Sequence, residues 1–184
     1  MPLEKKLIDI ILTNEHVIED LKLVRGLVLP DCWIAAGYVR NYVWDAAHGY
    51  KERTLLNDVD IIYFDSSDLS VTIEVEAEKK LQEQKPHYNW SVKNQARMHI
   101  RNESLPYTST MDAMRYWPET ATAAAICMDG DDHIHILAPH GLEDLLELKI
   151  RKSKFFKDKS YFLKRIKSKK WLEIWPMLQL LEDE

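Results

Sequence analysis

The stretch 36-AGYVRNYVWD-45, followed after a polar loop by 57-NDVDIIYFD-65, decides how this chain folds. Upstream of it, Cys32-Trp33-Ile34-Ala35-Ala36 is short, continuous and apolar, the pattern of a strand buried on both faces. Gly37 bounds that run, and Tyr38 to His48 reads as a helix that Gly49 ends. The polar loop Tyr50 to Asn57 then leads into a second strand, Asp58 to Phe64. Gly37 lets backbone amides approach an anion, and the start of the helix adds oriented N–H groups and a favourable dipole. Arg40 and Asn41 stand one turn further on. Taken alone, a glycine before a helix is most often only a tight turn. Asp58 and Asp60 sharpen the pattern. They lie two apart on a strand, so both carboxylates share one face while Val59 and Ile61 enter the core. Like charges this close are costly unless a cation lies between them. Hard oxygen ligands suit Mg2+ (or Mn2+), which completes its shell with phosphates and water, so the pattern has room for a triphosphate.

Outward from this centre, Leu3, Leu7, Ile8, Ile11 and Leu12 recur at helical spacing, and a second helix runs from the candidate cap Asn14 to Gly26. Glu74 to Gln84 reads as a helix closed by Pro86, and Tyr88 to Asn94 as a strand. Ser109 with Asp112 resembles a capping box for a short helix that Pro118 ends near Trp117. Thr120 to Met128 and His133 to Leu137 flank Asp129-Gly130-Asp131-Asp132, the pattern of an antiparallel hairpin. A short helix follows from Gly141 to Leu146, and Ser160 to Lys170 and Trp171 to Leu181 read as basic, then aromatic-rich, helices. The sum is one α/β (α+β) domain over 1–184: N-terminal helices (1–29), a core with a mixed central sheet of about five strands flanked by helices (30–150), and a basic helical C-terminal segment (151–184). With five glycines there is no GxGxxG and no P-loop.

At 46% hydrophobic and 30% charged residues, the composition is that of an ordinary globular domain. No apolar run approaches the roughly 20 residues of a membrane helix, and the amino terminus has no signal-peptide layout, so the expectation is a cytoplasmic protein without a membrane partner. Cys32 and Cys127 sit among apolar residues and read as reduced thiols. The net charge of −5 is uneven: Lys149 to Lys170 holds eleven Lys or Arg and one acid, a net +10, which leaves −15 on the rest. Such a segment either attracts phosphates or is the wet side of helices whose Phe155, Phe156, Tyr161, Phe162 and Ile166 enter the core. The acidic remainder disfavours a long polyanion, so a nucleic-acid acceptor is not the expectation.

The two central motifs, with WSVKNQARMH (90–99), WPETATAAA (117–125) and APHGLEDLLELKIR (138–151), resemble a bacterial family of nucleotidyltransferase-like proteins in the DNA polymerase β superfamily, and are distantly similar to the Gly-Gly-x-Val-Arg-Asp and Asp-x-Asp elements of CCA-adding enzymes. The resemblance covers about Pro30 to Trp175. It implies the polymerase β-like nucleotidyltransferase fold and metal-dependent transfer of a nucleoside monophosphate from a triphosphate to a hydroxyl, with pyrophosphate leaving. It makes Asp58 and Asp60 the catalytic metal ligands, has Gly37 and Tyr38 present backbone amides to the phosphates, and lets Arg40 neutralise charge beside Asn41. The acceptor, a small molecule or another hydroxyl compound, is left open. Two departures stand out. Tyr38 fills a place where the superfamily has a small residue, and the strand expected to bear a third acid offers Asn94 instead. The alternative reading is an inactive nucleotide-binding module, regulatory or antitoxin-like, on the same fold. His133 and His135 lack zinc-spaced partners, Glu119 and Asp144 read as supports of the site or helix caps, and Trp171 and Trp175, one helical turn apart, read as core.

Overall fold

The computed structural model describes residues 2–102 and 104–181. Two amphipathic helices, α1 (Leu3–Ile11) and α2 (Val17–Arg25), open the chain and bury Leu7, Ile11, Val17, Leu21 and Val24. Asn14 is not the cap of α2, whose N-cap position is His16; its side chain instead accepts from the His16 amide at 2.8 Å, in an Asx turn just before the helix. The apolar run forms β1 (Trp33–Ala35), and α3 (Gly37–Ala47) follows at once. Gly49, at φ +66°, ends it in the left-handed conformation that glycine adopts without penalty.

β2 (Val59–Tyr63), α4 (Val71–Gln84) and β3 (Trp90–Asn94) follow, and β2 and β3 run parallel, joined through α4. The chain from Gln95 onward coils through α5 (Met98–Arg101) to α6 (Thr110–Met114), where Ser109 accepts from the Asp112 amide at 3.1 Å. Asp112 reciprocates to the Thr108 amide rather than to Ser109, so the box is completed one residue upstream. The hairpin is β4 (Ala125–Met128) and β5 (Ile134–Leu137); Thr120–Thr122, expected to extend the first strand, forms a 3-10 turn instead. Among the described residues the main sheet has the order β3-β2-β1-β4-β5, antiparallel except between β2 and β3. This is the mixed five-stranded sheet expected from the pattern.

The C-terminal segment departs from the helical expectation for 151–184. After α7 (Glu143–Leu146), Lys149–Arg151 forms β6, and it pairs in parallel with β7 (Gln179–Leu181). Only α8 (Lys159–Ser168) and the single turn α9 (Trp171–Ile174) are helical between them. The Pro176 ring ends α9, since proline cannot take the place of the next helical donor, and the chain then extends to meet β6. Phe162 and Ile166 are buried as expected, whereas Phe155 and Tyr161 are 39% and 45% exposed. Trp171 and Trp175 pack edge-on against Trp44 of α3 at 5.5 and 5.0 Å between ring centroids, confirming their place in the core. Cys32 and Cys127 are free thiols, and burial pushes Cys32 up to about 12. No helix among the described residues is long and apolar enough to cross a membrane.

Trp175 is the anchor of this closing segment, 1% exposed, with its indole N–H donating to Asp45 at 2.7 Å. Trp175→Ala should lower the unfolding free energy by about 3–5 kcal/mol in urea denaturation. Trp175→Phe should cost less than half of that, because the ring contact with Trp44 survives and Asp45 keeps its bonds to Thr54. Wild-type stability of the alanine variant would show that the segment is not anchored there.

Candidate active site

β1 and β2 meet in antiparallel register with Ala35 opposite Asp60, so Asp60 lies beside the residue that leads into α3. Val59 and Ile61 are fully buried on the other face, as period-2 alternation requires. Ala36 makes the transition from β1 to α3 at φ 55°, ψ −120°, a conformation that costs a residue with a Cβ about 1–3 kcal/mol. Its carbonyl accepts from the Arg40 amide, which leaves the amides of Gly37, Tyr38 and Val39 as the unpaired first turn of an eleven-residue helix. A Cβ added at Gly37 would meet the Arg40 side chain at 3.4 Å, an ordinary contact, so glycine there is not demanded by the protein's own packing.

The loop that carries Asp58 is tied down from beneath. Asp45 accepts from the Thr54 amide and hydroxyl at 2.9 and 2.6 Å, and Arg53 donates to the Tyr38 carbonyl at 2.9 Å while lying over the Tyr42 ring. Thr54 to Asn57 thereby form one wall of a cavity of about 510 Å3. Ala36, Gly37, Arg40 and Asn41, the two acids Asp58 and Asp60, and Arg165, Ser168, Lys169 and Lys170 line the same cavity. Neither aspartate makes an ion pair or a side-chain hydrogen bond among the described residues. Burial, and then the Asp58 charge, push the Asp60 carboxyl up to about 6, against the pull of Arg40, Arg165 and Lys169.

The expected residues divide. Gly37, Arg40, Asn41, Asp58 and Asp60 line one cavity. Arg40 is also part of the framework: it is 7% exposed, donates to Thr122 Oγ1 at 3.0 Å and Asn41 Oδ1 at 2.9 Å, and lies 4.4 Å from the Trp171 ring centroid. Burial lowers its guanidinium to about 10, partly offset by Glu119, Asp60 and Asp58. Tyr38 is not among the residues that line the cavity: its side chain is fully buried and its hydroxyl donates to the buried Asp20 at 2.6 Å. Ala36 and Gly37 therefore form the small pair at the turn, and Tyr38 faces the opposite side of α3.

Asn94 is not among the cavity's residues. Its amide is fully engaged, with Oδ1 accepting from the Asp65 and Ala96 amides and Nδ2 donating to the Asp65 and Asp68 carbonyls, so it ties the end of β2 to β3. Among the described residues the cavity holds no third carboxylate, and no three His, Cys, Asp or Glu side chains gather as a metal site. Glu119 lies close behind, 1% exposed side chain, accepting from Arg165 Nε at 2.9 Å and leaving its other oxygen without a partner among the described residues. His135 and Asp129 pair at 2.7 Å on the hairpin, remote from the acids in the sheet order. The residues that sequence reasoning missed are Arg165, Lys169 and Lys170; the uneven charge was their signal, but only the fold of α8 and α9 brings them over Asp58 and Asp60.

An Asp60 carboxyl raised from 3.8 to about 6 destabilises the protein once it ionises, so the penalty is complete above pH 6 and absent below pH 4. Asp60→Asn should therefore exceed the wild type in stability at pH 7 by up to roughly 3 kcal/mol, with the advantage vanishing near pH 4. A difference independent of pH in thermal or urea melts would place Asp60 in a solvated setting.

The family profile described as Nucleotidyltransferase matches residues 22–180. A solved NMR structure, described as revealing a CCA-adding enzyme head domain, is 31% identical, with a TM-score of 0.84 over 97% of this chain and 96% of that one. A Thermotoga maritima CCA-adding enzyme complexed with tRNA shares the fold at 17% identity and a TM-score of 0.52, over 88% of this chain and 37% of that one. A tRNA-processing enzyme in an apo form does so at 17% and 0.51, over 88% and 44%. This chain thus spans less than half the length of those two larger proteins. A search of the curated proteins finds no match.

Proposed function

Because the chain belongs to the nucleotidyltransferase family, we propose that the cavity over Asp58 and Asp60 binds a nucleoside triphosphate with a divalent cation and transfers the nucleoside monophosphate to a hydroxyl acceptor. The observation that carries this reading is one cavity lined by two carboxylates without ion pairs, by the start of α3, and by Arg165 of α8 with Lys169 and Lys170 of the turn that follows it. Two carboxylates with no ion pair among the described residues fit Mg2+ or Mn2+, and burial, with the Asp58 charge second, raises the Asp60 carboxyl to about 6, a cost that a bound cation would offset. The cation, held by Asp58 and Asp60, would supply charge neutralisation for the phosphates and a lower barrier to hydroxyl attack.

The chain's own groups divide the remaining work. The Gly37 and Tyr38 amides, at the positive end of α3, receive phosphate oxygens. Lys169 and Lys170 meet the charge that builds on the departing pyrophosphate, and Arg165, held by Glu119, adds a fixed positive charge beside Asp60. Arg40 acts from beneath, as a buried cation that also clamps Asn41 and Thr122. The absence of a third carboxylate among the described lining residues favours one second reading, a module that binds nucleotide without transferring it.

The two readings separate experimentally. Mg2+ with a triphosphate should raise the melting temperature, equivalent to about 2.7 kcal/mol at one hundred times the dissociation constant. Asp60→Asn should abolish that response, and Lys169→Gln should weaken triphosphate affinity by roughly tenfold, the scale of one charge-assisted contact, with the fold intact. Equal shifts in all three proteins would refute the site. Release of pyrophosphate from a labelled triphosphate in cell extract, dependent on Asp58, distinguishes an enzyme from a binding module.

A further inference from the structure

A second cavity, of about 440 Å3, is also lined by Asp60. Among the described residues it shares only Ala36, Asp60 and Arg165 with the first. Its remaining wall differs in kind. Met98, Tyr116, Trp117, Phe156 and Tyr161 present apolar and aromatic surface, with the last two rings 5.7 Å apart. Its charges are balanced, Lys93 and Arg165 against Asp60 and Asp158, and three of the four are engaged elsewhere. Lys93 pairs with Glu78 at 3.0 Å, Arg165 with Glu119 at 2.9 Å, and Asp158 caps α8 by accepting from the Tyr161 amide at 2.8 Å. The first cavity instead sets Arg40, Arg165, Lys169 and Lys170 against two acids.

We propose that this second cavity is the acceptor site, and that it takes a small, uncharged alcohol bearing a planar ring. The proposal rests on the first cavity being the triphosphate site. The volume suits a small molecule, and a wall of aromatic faces with the few neutral polar groups of Gln95 and Asn102 is the usual construction of a site that orients one. The ring lies against Trp117 and its neighbours, where stacking and burial hold it. A charged strand of nucleic acid would bring a phosphate per nucleotide to cations that are already paired. Asp60 marks the boundary of the two cavities, so a hydroxyl held there faces the α-phosphorus of a triphosphate in the first. Its oxygen bonds to that phosphorus, the bond to pyrophosphate breaks, and the hydroxyl proton leaves to water; the products are a phosphodiester and pyrophosphate.

The test is an NMR titration of the full chain saturated with Mg2+ and a non-hydrolysable triphosphate. Adenosine, uridine and 2-phenylethanol serve as neutral ring alcohols, glycerol as a ring-free one, and adenosine monophosphate and a short oligoribonucleotide as charged probes. The neutral ring alcohols should shift the Trp117 indole and Gln95 side-chain signals. Trp117→Ala should weaken them roughly tenfold, the loss of one stacked aromatic face. Tyr161→Ser, at a half-exposed position that spares the core, should weaken them as well, with triphosphate affinity changed by no more than about twofold in either variant. Preference for the charged probes, or glycerol binding as well as the ring alcohols, overturns the proposal. Signals of Gly37 and Lys169 report on the first cavity separately. If the triphosphate shifts them while no ring alcohol perturbs the second cavity, the acceptor site falls and the triphosphate site stands; if the triphosphate does not bind, both fall.

Discussion

The antiparallel register that sets Ala35 opposite Asp60 is the constraint on which the rest of this site depends. A slip of one residue would send Val59 and Ile61 to solvent and both aspartates into the core, so hydrophobic burial enforces the register far more strongly than any contact at the site itself. The same pairing brings the acids beside the turn at Ala36, where the chain passes from strand to helix with no intervening loop. That abrupt turn leaves Ala36 in a positive-φ conformation and keeps the first amides of α3 unpaired. Lys170, at φ 54°, is a second strained residue on the same cavity. Strain at both edges of one site is the signature of positions fixed by function or by the surrounding packing rather than by local preference.

Around this centre the structure uses polar groups as joints. Asp45 is 5% exposed and binds Thr54 from the Asp58 loop and Trp175 from the closing segment, so one carboxylate aligns three parts of the chain on α3. A carboxylate buried this deeply is tolerable because three donors satisfy it. Arg40 performs the same service on the other side of α3 toward Thr122 and the Trp171 ring, and Glu119 does so for Arg165. The acids at the site differ: they are half-buried and neither has an ion pair or a side-chain hydrogen bond among the described residues, the arrangement expected where a ligand supplies the partner.

Much of this was legible in the sequence. The apolar run before Gly37, the alternation from Asp58 to Phe64 and the hairpin signal around Asp129-Gly130 each have a strong local cause, and the five-stranded sheet follows from them. The helical reading of 175–181 failed because β7 has no intrinsic preference strong enough to declare itself; parallel pairing to β6 is a non-local gain that local pattern does not contain. Asn94 was read as a candidate for the site because it ends a strand near the acids, whereas its amide is spent on closing the loop after β2. Tyr38, equally, is a core residue by its side chain, since a helix turns the residue after Gly37 toward α2.

The sequence by itself determined the strand-turn-helix, the two acids at the start of β2 (Asp58 just before it and Asp60 within it) and the excess of positive charge near the C-terminus, because each depends on periodicity or counting over neighbouring residues. Only the tertiary structure decided where that charge goes. Phe162, Ile166, Trp171 and Trp175 are buried in the core, and in burying them the chain brings Arg165, Lys169 and Lys170 to the cavity that Asp58 and Asp60 line, with a second, more aromatic cavity sharing Asp60. Burial of apolar area has no direction of its own; it is the shape of the available core that turned a basic helix face into one wall of a site.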